Sequence, residues 1–373
     1  MQISCALPPG PDTVEYAVLS ESLGYERVWL YDSPALYADV WVTLARVAER
    51  TSRVGLGTAV LIPNLRHPMT QAAAIATLEQ LAPGRLVVAL GTGFTGRMAM
   101  GQRPLTWAYM KRYIRQLRAL LAGDAVEIEG AMAQMIPPPG FLPERPIKTP
   151  ILIGANGPKG LAVARELGDG VMCLLAPQPG FERCAVLAFG TVLRDGEEPA
   201  SERVLEAVGP AFAAFYHSQL SDALPRGAEW RKMIEQFPEE TRHLKVHELH
   251  VVAINEHDRP FIDPAAAAAA TLTGTTRALC DRLDVLEAGG RQSSCISPWA
   301  PTSRKSCGRS PRWPGSGSAR SRRRTGCVGR SLDSKGGTYV RGDHLRGDGP
   351  GGDDYAQSPR EAERAHGAND AGA

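Results

Sequence analysis

"PILIGANGPKGLAVARELGDGVMC", residues 150–173, decides the fold. It holds one complete strand–helix–strand unit. An apolar run leads into a glycine, asparagine and proline turn, "PKGLAVARELG" reads as a helix, and "DGVMC" opens the next apolar run. Pro158 suits a first helical turn, where its missing N–H costs nothing. A main chain this bare usually has a ligand close against it, most often a phosphate. Neither common phosphate fingerprint is present. The stretch is not G-x-G-x-x-G, and Lys159 lacks the spacing and following Ser/Thr of a P-loop.

The same rhythm extends on both sides. Strand-like runs occur at 2–7, 27–33, 53–62, 85–93, 150–157 and 169–175. Amphipathic helical patterns follow at 11–25, 38–52, 67–84, 106–123 and 158–168. The strands are continuous apolar runs, as expected where both faces are buried. "RVLEAVGPAFAAF" (203–215) is expected to hold a seventh strand, a charged helical region follows to about 260, and "TTRALCDRLDVLEAGG" (275–290) reads as the last helix. An open doubly wound sheet and a (β/α)8 TIM barrel both fit such an order. Nearly 290 residues in one rhythm favour the barrel.

A barrel needs an eighth strand directly after "LEAGG", where the chain reads "RQSSCISPWAPTSRKSC". From about Arg291 the sequence is rich in Arg, Ser, Gly and Pro, and cannot bury enough surface to offset its ordering entropy. GC-rich codons chosen for residues 291–315 and read two bases later permit a buried strand, a proline turn and an amphipathic helix. The expected organisation is therefore an incomplete barrel over 1–290 and a disordered or frameshifted tail over 291–373, with the eighth strand lost to it.

Composition excludes several classes. The 373 residues are 43% hydrophobic with a formal charge of +2. No run is long and apolar enough for a bilayer, and "MQISCALPPG" has no signal-peptide pattern. The seven cysteines form no C-x-x-C pair, which fits a reduced cytoplasmic protein with no structural metal. The basic tail has almost no aromatics to stack bases, so no nucleic-acid partner is expected. "HLKVHELH" puts His243, His247 and His250 on one helical face without an H-E-x-x-H pattern, and reads as a solvated helix. His67 is expected to fix its loop by hydrogen bonding.

In a TIM barrel the site forms at the C-terminal strand ends. Those ends read "YDSP" (31–34), "GTAVLIPNLRHP" (57–68), "GTGFTGR" (91–97), "GANGPKG" (154–160) and "DGVMC" (169–173). All are polar or glycine-rich.

The "VWLYDS" strand end, "GLGTAVLIPNLRHPMTQAAAIATLEQLAPGRLVVALGTG" and "PILIGANGPKGLAVARELGDGVMC" together resemble the luciferase-like flavin and deazaflavin oxidoreductases. The likeness covers roughly residues 1–290. It is strongest to the branch using F420, which includes methylenetetrahydromethanopterin reductases and F420-dependent glucose-6-phosphate dehydrogenases. The resemblance implies a barrel of the bacterial luciferase type, with F420 (alternatively FMN) as cofactor. It implies hydride transfer to or from a small organic substrate, in a protein that is often a homodimer. The alternatives are an FMN-dependent luciferase-like monooxygenase or a catalytically impaired flavin-binding relic.

By the same match, a non-prolyl cis peptide between Ala59 and Val60 seats the ring, with Ile62 and Thr95 among the cofactor contacts. Asp32 stands beside the ring. Ala155, Asn156, Gly157 and Pro158 form the phosphate and side-chain loop, bordered by Met172 and Cys173. Ser33 replaces the histidine base of the glucose-6-phosphate dehydrogenases. Phe94 replaces their glutamate acid and the aspartate of the methanopterin reductases. These departures imply a different, more apolar acceptor.

Overall fold

Valine, leucine, isoleucine and alanine fill both faces of the barrel strands, and period-two alternation divides them into two layers. The computed structural model describes residues 1–218, 221–289 and 293–298, the last six as backbone. Its first half runs β1 (Gln2–Leu7), α1 (Thr13–Ser22), β2 (Arg27–Leu30), α2 (Val40–Arg50), β3 (Gly55–Leu61), α3 (Pro68–Leu81), β4 (Leu86–Leu90), α4 (Phe94–Met98) and α5 (Trp107–Ala122). A hairpin of β5 (Val126–Ile128) and β6 (Ala131–Ala133) follows, then β7 (Ile151–Gly154), α6 (Pro158–Leu167), β8 (Gly170–Leu174) and β9 (Cys184–Leu187). The chain continues through α7 (Glu202–Tyr216), α8 (Gly227–Ile234), α9 (Arg242–Val246), α10 (Pro264–Ala269), α11 (Thr276–Gly289) and β10 (Ser293–Pro298).

The parallel ring order is β1-β10-β9-β8-β7-β4-β3-β2. Two expectations are corrected here. The seventh barrel strand is β9, and residues 203–215 lie in α7. Val204, Val208, Phe212 and Tyr216 recur four apart on its buried face, and Ser201 caps it by accepting from Val204 N (3.3 Å). The eighth place is also not vacant. The backbone of β10 pairs with β1 (Gln2 opposite Ser294) and with β9 (Cys184 opposite Ser293). Pairing needs main-chain groups, and the open rows of β1 and β9 supply partners whatever the side chains. The 299–373 part of the expected tail lies outside the described residues.

Outward residues such as Leu7, Val28, Leu56, Val88, Ile153 and Val186 pack under the helices. Inward residues include Ala6, Trp29, Tyr31, Val87, Leu152 and Met172. Trp29 fits because Gly57 lies beside it: a Cβ on Gly57 would stand 2.3 Å from Trp29 Cε3. Between β9 and α11 a helical insert builds a second core around Phe212, Tyr216, Trp230 and Ile262. Among the described residues, no helix is long and apolar enough to cross a membrane.

Candidate active site

The end of β3 is the least regular point of the ring. Its pairing with β4 shifts register between Thr58 and Leu61, and the Ala59–Val60 peptide is cis, at the bond singled out from sequence. The Val60 side chain lies across two bare positions. A Cβ on Gly91 would be 2.4 Å from Val60 Cγ2, and one on Gly154 would be 3.0 Å from its Cγ1. The ends of β4 and β7 thus carry main chain and no side chain around Val60. That surface suits a flat ring.

Asp32 is 4% exposed, at the end of β2. Its Oδ2 accepts from Ile62 N (3.1 Å) and from Arg66 Nη1 (2.8 Å). Arg66 Nη2 donates to Asp39 Oδ2 (2.8 Å), while Asp39 Oδ1 caps α2 at Trp41 N and Val42 N. Tyr113 on α5 donates to the Arg66 carbonyl (3.0 Å). One arginine therefore fastens the loop after β3 to the loop after β2. Burial pushes the Asp32 carboxyl above its ordinary range, against the opposing pull of Arg66 and Ile62 N–H. Burial alone would lower the Arg66 guanidinium, but Asp32 and Asp39 more than reverse this. Arg66 was missed from sequence, where it is one cation in a polar loop.

The first two turns after β4 close over this clamp. A Cβ on Gly96 would meet Ile62 Cδ1 at 2.4 Å and Ser33 Oγ at 3.0 Å. Ser33 is buried beneath α4, whereas Phe94 is 42% exposed. Thr95 is half-buried on the same short helix. Asp32, Ser33 and Ile62 thus meet at Gly96 of α4, the short helix that also carries Phe94 and Thr95.

At the end of β7, Ala155 N donates to the Met172 carbonyl (2.9 Å), and Asn156 Oδ1 accepts from Leu174 N (2.9 Å). The loop is tied to β8 from both sides. A Cβ on Gly157 would meet nothing within 4 Å, so the approach to the start of α6 is open. Pro158 is the first helical residue, and Gly157, the N-cap, offers no side-chain cap. Among the described residues, no protein acceptor reaches the N–H groups of Gly157, Lys159 and Gly160. Orphan donors and the helix dipole favour an anion here.

Met172 faces the barrel interior, but Cys173 does not. Strand neighbours point to opposite faces, and Cys173 Sγ lies in the outer layer, 3.6 Å from Cys184 Sγ. Cys173 is thus removed from the mouth. Inside the barrel, Ser4 Oγ, Trp29 Nε1 and Tyr31 OH are buried and, among the described residues, have no protein partner. Each can bond to water or a bound polar group.

The histidines also depart from expectation. α9 stops at Val246, and His247 and His250 are buried, not solvated. His217, from the end of α7, joins them with its Nδ1 2.8 Å from His250 Nδ1. Burial holds His247 near pKa 4 and His250 well below its usual value. His67 Nδ1 accepts from Met69 N (3.1 Å) and caps α3. A groove of about 910 Å³ lies at the opposite barrel end, lined by Arg118, Lys148, Asp169 and Arg183, and holds none of the mouth residues.

Comparison with known proteins gives the family and the fold. A 5,10-methylenetetrahydromethanopterin reductase of Methanolobus tindarius is 33% identical over 193 residues, covering 49% of this chain and 56% of that protein. An F420-dependent glucose-6-phosphate dehydrogenase of Amycolatopsis mediterranei (strain U-32) is 34% identical over 182 residues, covering 44% and 54%. The matches span about half the length of these curated relatives. Among solved structures, an F420-dependent secondary alcohol dehydrogenase with an F420–acetone adduct shares the fold at TM-score 0.55 and 18% identity, covering 81% of this chain and 94% of that one. A coenzyme F420-dependent tetrahydromethanopterin reductase from Methanopyrus kandleri also gives 0.55, at 17% identity, covering 79% and 92%. With the luciferase-like monooxygenase family matching residues 4–292, the chain belongs to that family.

Proposed function

We propose that this protein is an F420-dependent oxidoreductase acting on a small, largely apolar organic substrate. The observation that carries this reading is the seat at the mouth: Val60 after a cis peptide, flanked by the bare Gly91 and Gly154. The F420-dependent relatives support the choice of cofactor. When bound, F420 supplies or takes a hydride at the central carbon of its deazaflavin ring.

The residues present fit such a group. Ala59 and Val60 offer a flat apolar surface, and the open start of α6 at Gly157 offers unpaired N–H groups for a phosphate. The Asp32–Arg66 pair holds Ile62 and the bulge in place. Asn156 spends its side-chain oxygen on Leu174, so its role is to shape the loop. Ser33 is buried under α4 and no acid stands at Phe94, so neither position supplies a proton donor of carboxylate strength. The exposed Phe94 ring gives the acceptor an apolar wall.

Homodimerisation, a cytoplasmic location, and a shift of reading frame near codon 290 belong to the same proposal. Resequencing the gene across codons 285–300 tests the last point. The function is tested by titrating purified protein with F420 and with FMN and following cofactor fluorescence. Saturable quenching of F420 is expected. Tight FMN binding with no F420 response would favour an FMN monooxygenase instead.

A further inference from the structure

We propose that His217, His247 and His250 form a site for one divalent transition ion of the zinc type, fastening the helical insert beside the barrel mouth. One ring nitrogen from each histidine lies within 4.8 Å of the other two. His217 Nδ1 is 2.8 Å from His250 Nδ1, and His247 Nδ1 is 3.4 Å from it. Two nitrogens at about 2.0–2.1 Å from a tetrahedral zinc stand roughly 3.4 Å apart. Small ring rotations would bring all three to that spacing.

The hydrogen bonds set the required tautomer. His217 Nε2 faces Asp258 Oδ2 at 2.8 Å, so the ring proton belongs there and the Nδ1 lone pair points into the cluster. Asp258 is itself fixed, accepting from Trp230 Nε1 (2.8 Å), while its N–H donates to Asn255 Oδ1 (2.8 Å). A carboxylate behind a ligating imidazole is the usual support of a zinc-type ion.

Two further observations favour an ion over a histidine hydrogen-bond network. Asp258 is 1% exposed, and among the described residues no lysine or arginine pairs with it. A dication beyond His217 balances that charge. His250 Nδ1 also faces two imidazole nitrogens at once, and a single ring proton serves them poorly. The backbone is bent to achieve this, with Leu249 (φ 56°) and Val251 (φ 61°) in left-handed conformations on both sides of His250.

The position has a consequence for the mouth. Tyr37 OH donates to the His250 carbonyl (2.6 Å), and the Tyr37 ring lies 6.0 Å from that of Tyr31. An ion that fixes the 247–258 turn therefore fixes a wall of the barrel mouth. This inference rests on the insert alone and survives failure of the F420 reading.

The test uses the full-length chain with any purification tag removed, stripped with EDTA and dialysed. Zn²⁺ is titrated against a competing chromophoric chelator, and Co²⁺ binding is read by visible absorption. One equivalent tighter than about 10 μM is expected, with the Co²⁺ spectrum of a tetrahedral nitrogen-rich site. His247→Gln should weaken binding at least ~100-fold, and Asp258→Asn roughly 10–100-fold. His243→Gln, outside the cluster, should leave it unchanged. EDTA should lower the wild-type Tm by about 5 °C or more. Binding weaker than about 10 μM, or equal affinity in folded wild type and His247→Gln, would overturn the site. If the variants do not fold, the wild-type Co²⁺ spectrum and stoichiometry decide.

Discussion

The barrel mouth and the helical insert each bury a carboxylate, and they hold it in different ways. Asp32 at the mouth meets a guanidinium and a backbone N–H, and Arg66 carries the tie onward to Asp39. Asp258 in the insert meets an imidazole and an indole, and among the described residues no guanidinium or ammonium pairs with it. The mouth carboxylate is thus matched by a fixed charge from its own loops. The insert carboxylate depends on whatever the histidines hold. A self-sufficient clamp suits a seat whose shape must exist before any ligand arrives. A conditional one suits an element whose docking is set from outside.

The sharpest way to break this contrast is Arg66→Ala. It leaves Asp32 buried without its cation, and losing one member of a buried pair costs about 3–5 kcal/mol. Asp258→Asn should cost less, about 1–2 kcal/mol, because Asn Oδ1 still accepts from Trp230. Urea unfolding of both variants measures the difference. Equal losses would show that the two carboxylates are held alike. Adding Asp32→Asn to Arg66→Ala should recover part of the loss, since the stranded charge is then gone.

The next effect isolates the seat. Gly91→Ala puts a methyl 2.4 Å from Val60 Cγ2, and overpacking of this kind costs about 1–3 kcal/mol as Val60 is displaced. F420 affinity should fall at least ~10-fold, while the same change at exposed Gly130, where nothing lies within 4 Å, should leave it intact. Gly130 has φ 83°, so that control is read for binding and not for stability. Unchanged affinity in Gly91→Ala would remove Val60 from the seat.

The two regions also differ in how readily they are read. Continuous apolar runs made β1, β2, β3, β4, β7 and β8 legible, because strands buried on both faces need little else. The next strand was misplaced: four-residue "CAVL" is a weaker signal than the longer apolar stretch 203–215, where four-residue spacing made a helix. β10 carries Ser293, Ser294 and Ser297, so its main-chain pairing left no apolar mark. The cis peptide position came from family likeness and not from pattern. Cys173 was mistaken by one residue of strand parity. Arg66 and His217 could not be found this way. His217 lies 33 residues from His250, and the packing of α7 against the rest of the insert joins them.

The smallest expected effect tests the join between the two regions. Glu197, in the link from β9 to α7, takes Arg203 Nε on Oε1 (2.7 Å) and Nη2 on Oε2 (2.5 Å). Arg203 also donates to Thr191 Oγ1 and the Val192 carbonyl, so the pair anchors the start of the insert to the chain leaving the barrel. The bond from Arg203 holds the Glu197 carboxyl down to about 2 from the ordinary 4.5. A carboxylate depressed on folding stabilises fully above its unfolded value, and that stabilisation is lost as pH falls from 4.5 towards 2. The pair lies near the surface, where screening limits it to about 1 kcal/mol. Asp32 behaves in the opposite sense: its carboxyl is raised by burial, so protonation of that group favours the fold and adds no acid loss. Glu197→Gln should therefore flatten stability between pH 4.5 and 2 relative to wild type. An unchanged slope would place the acid sensitivity of the join elsewhere.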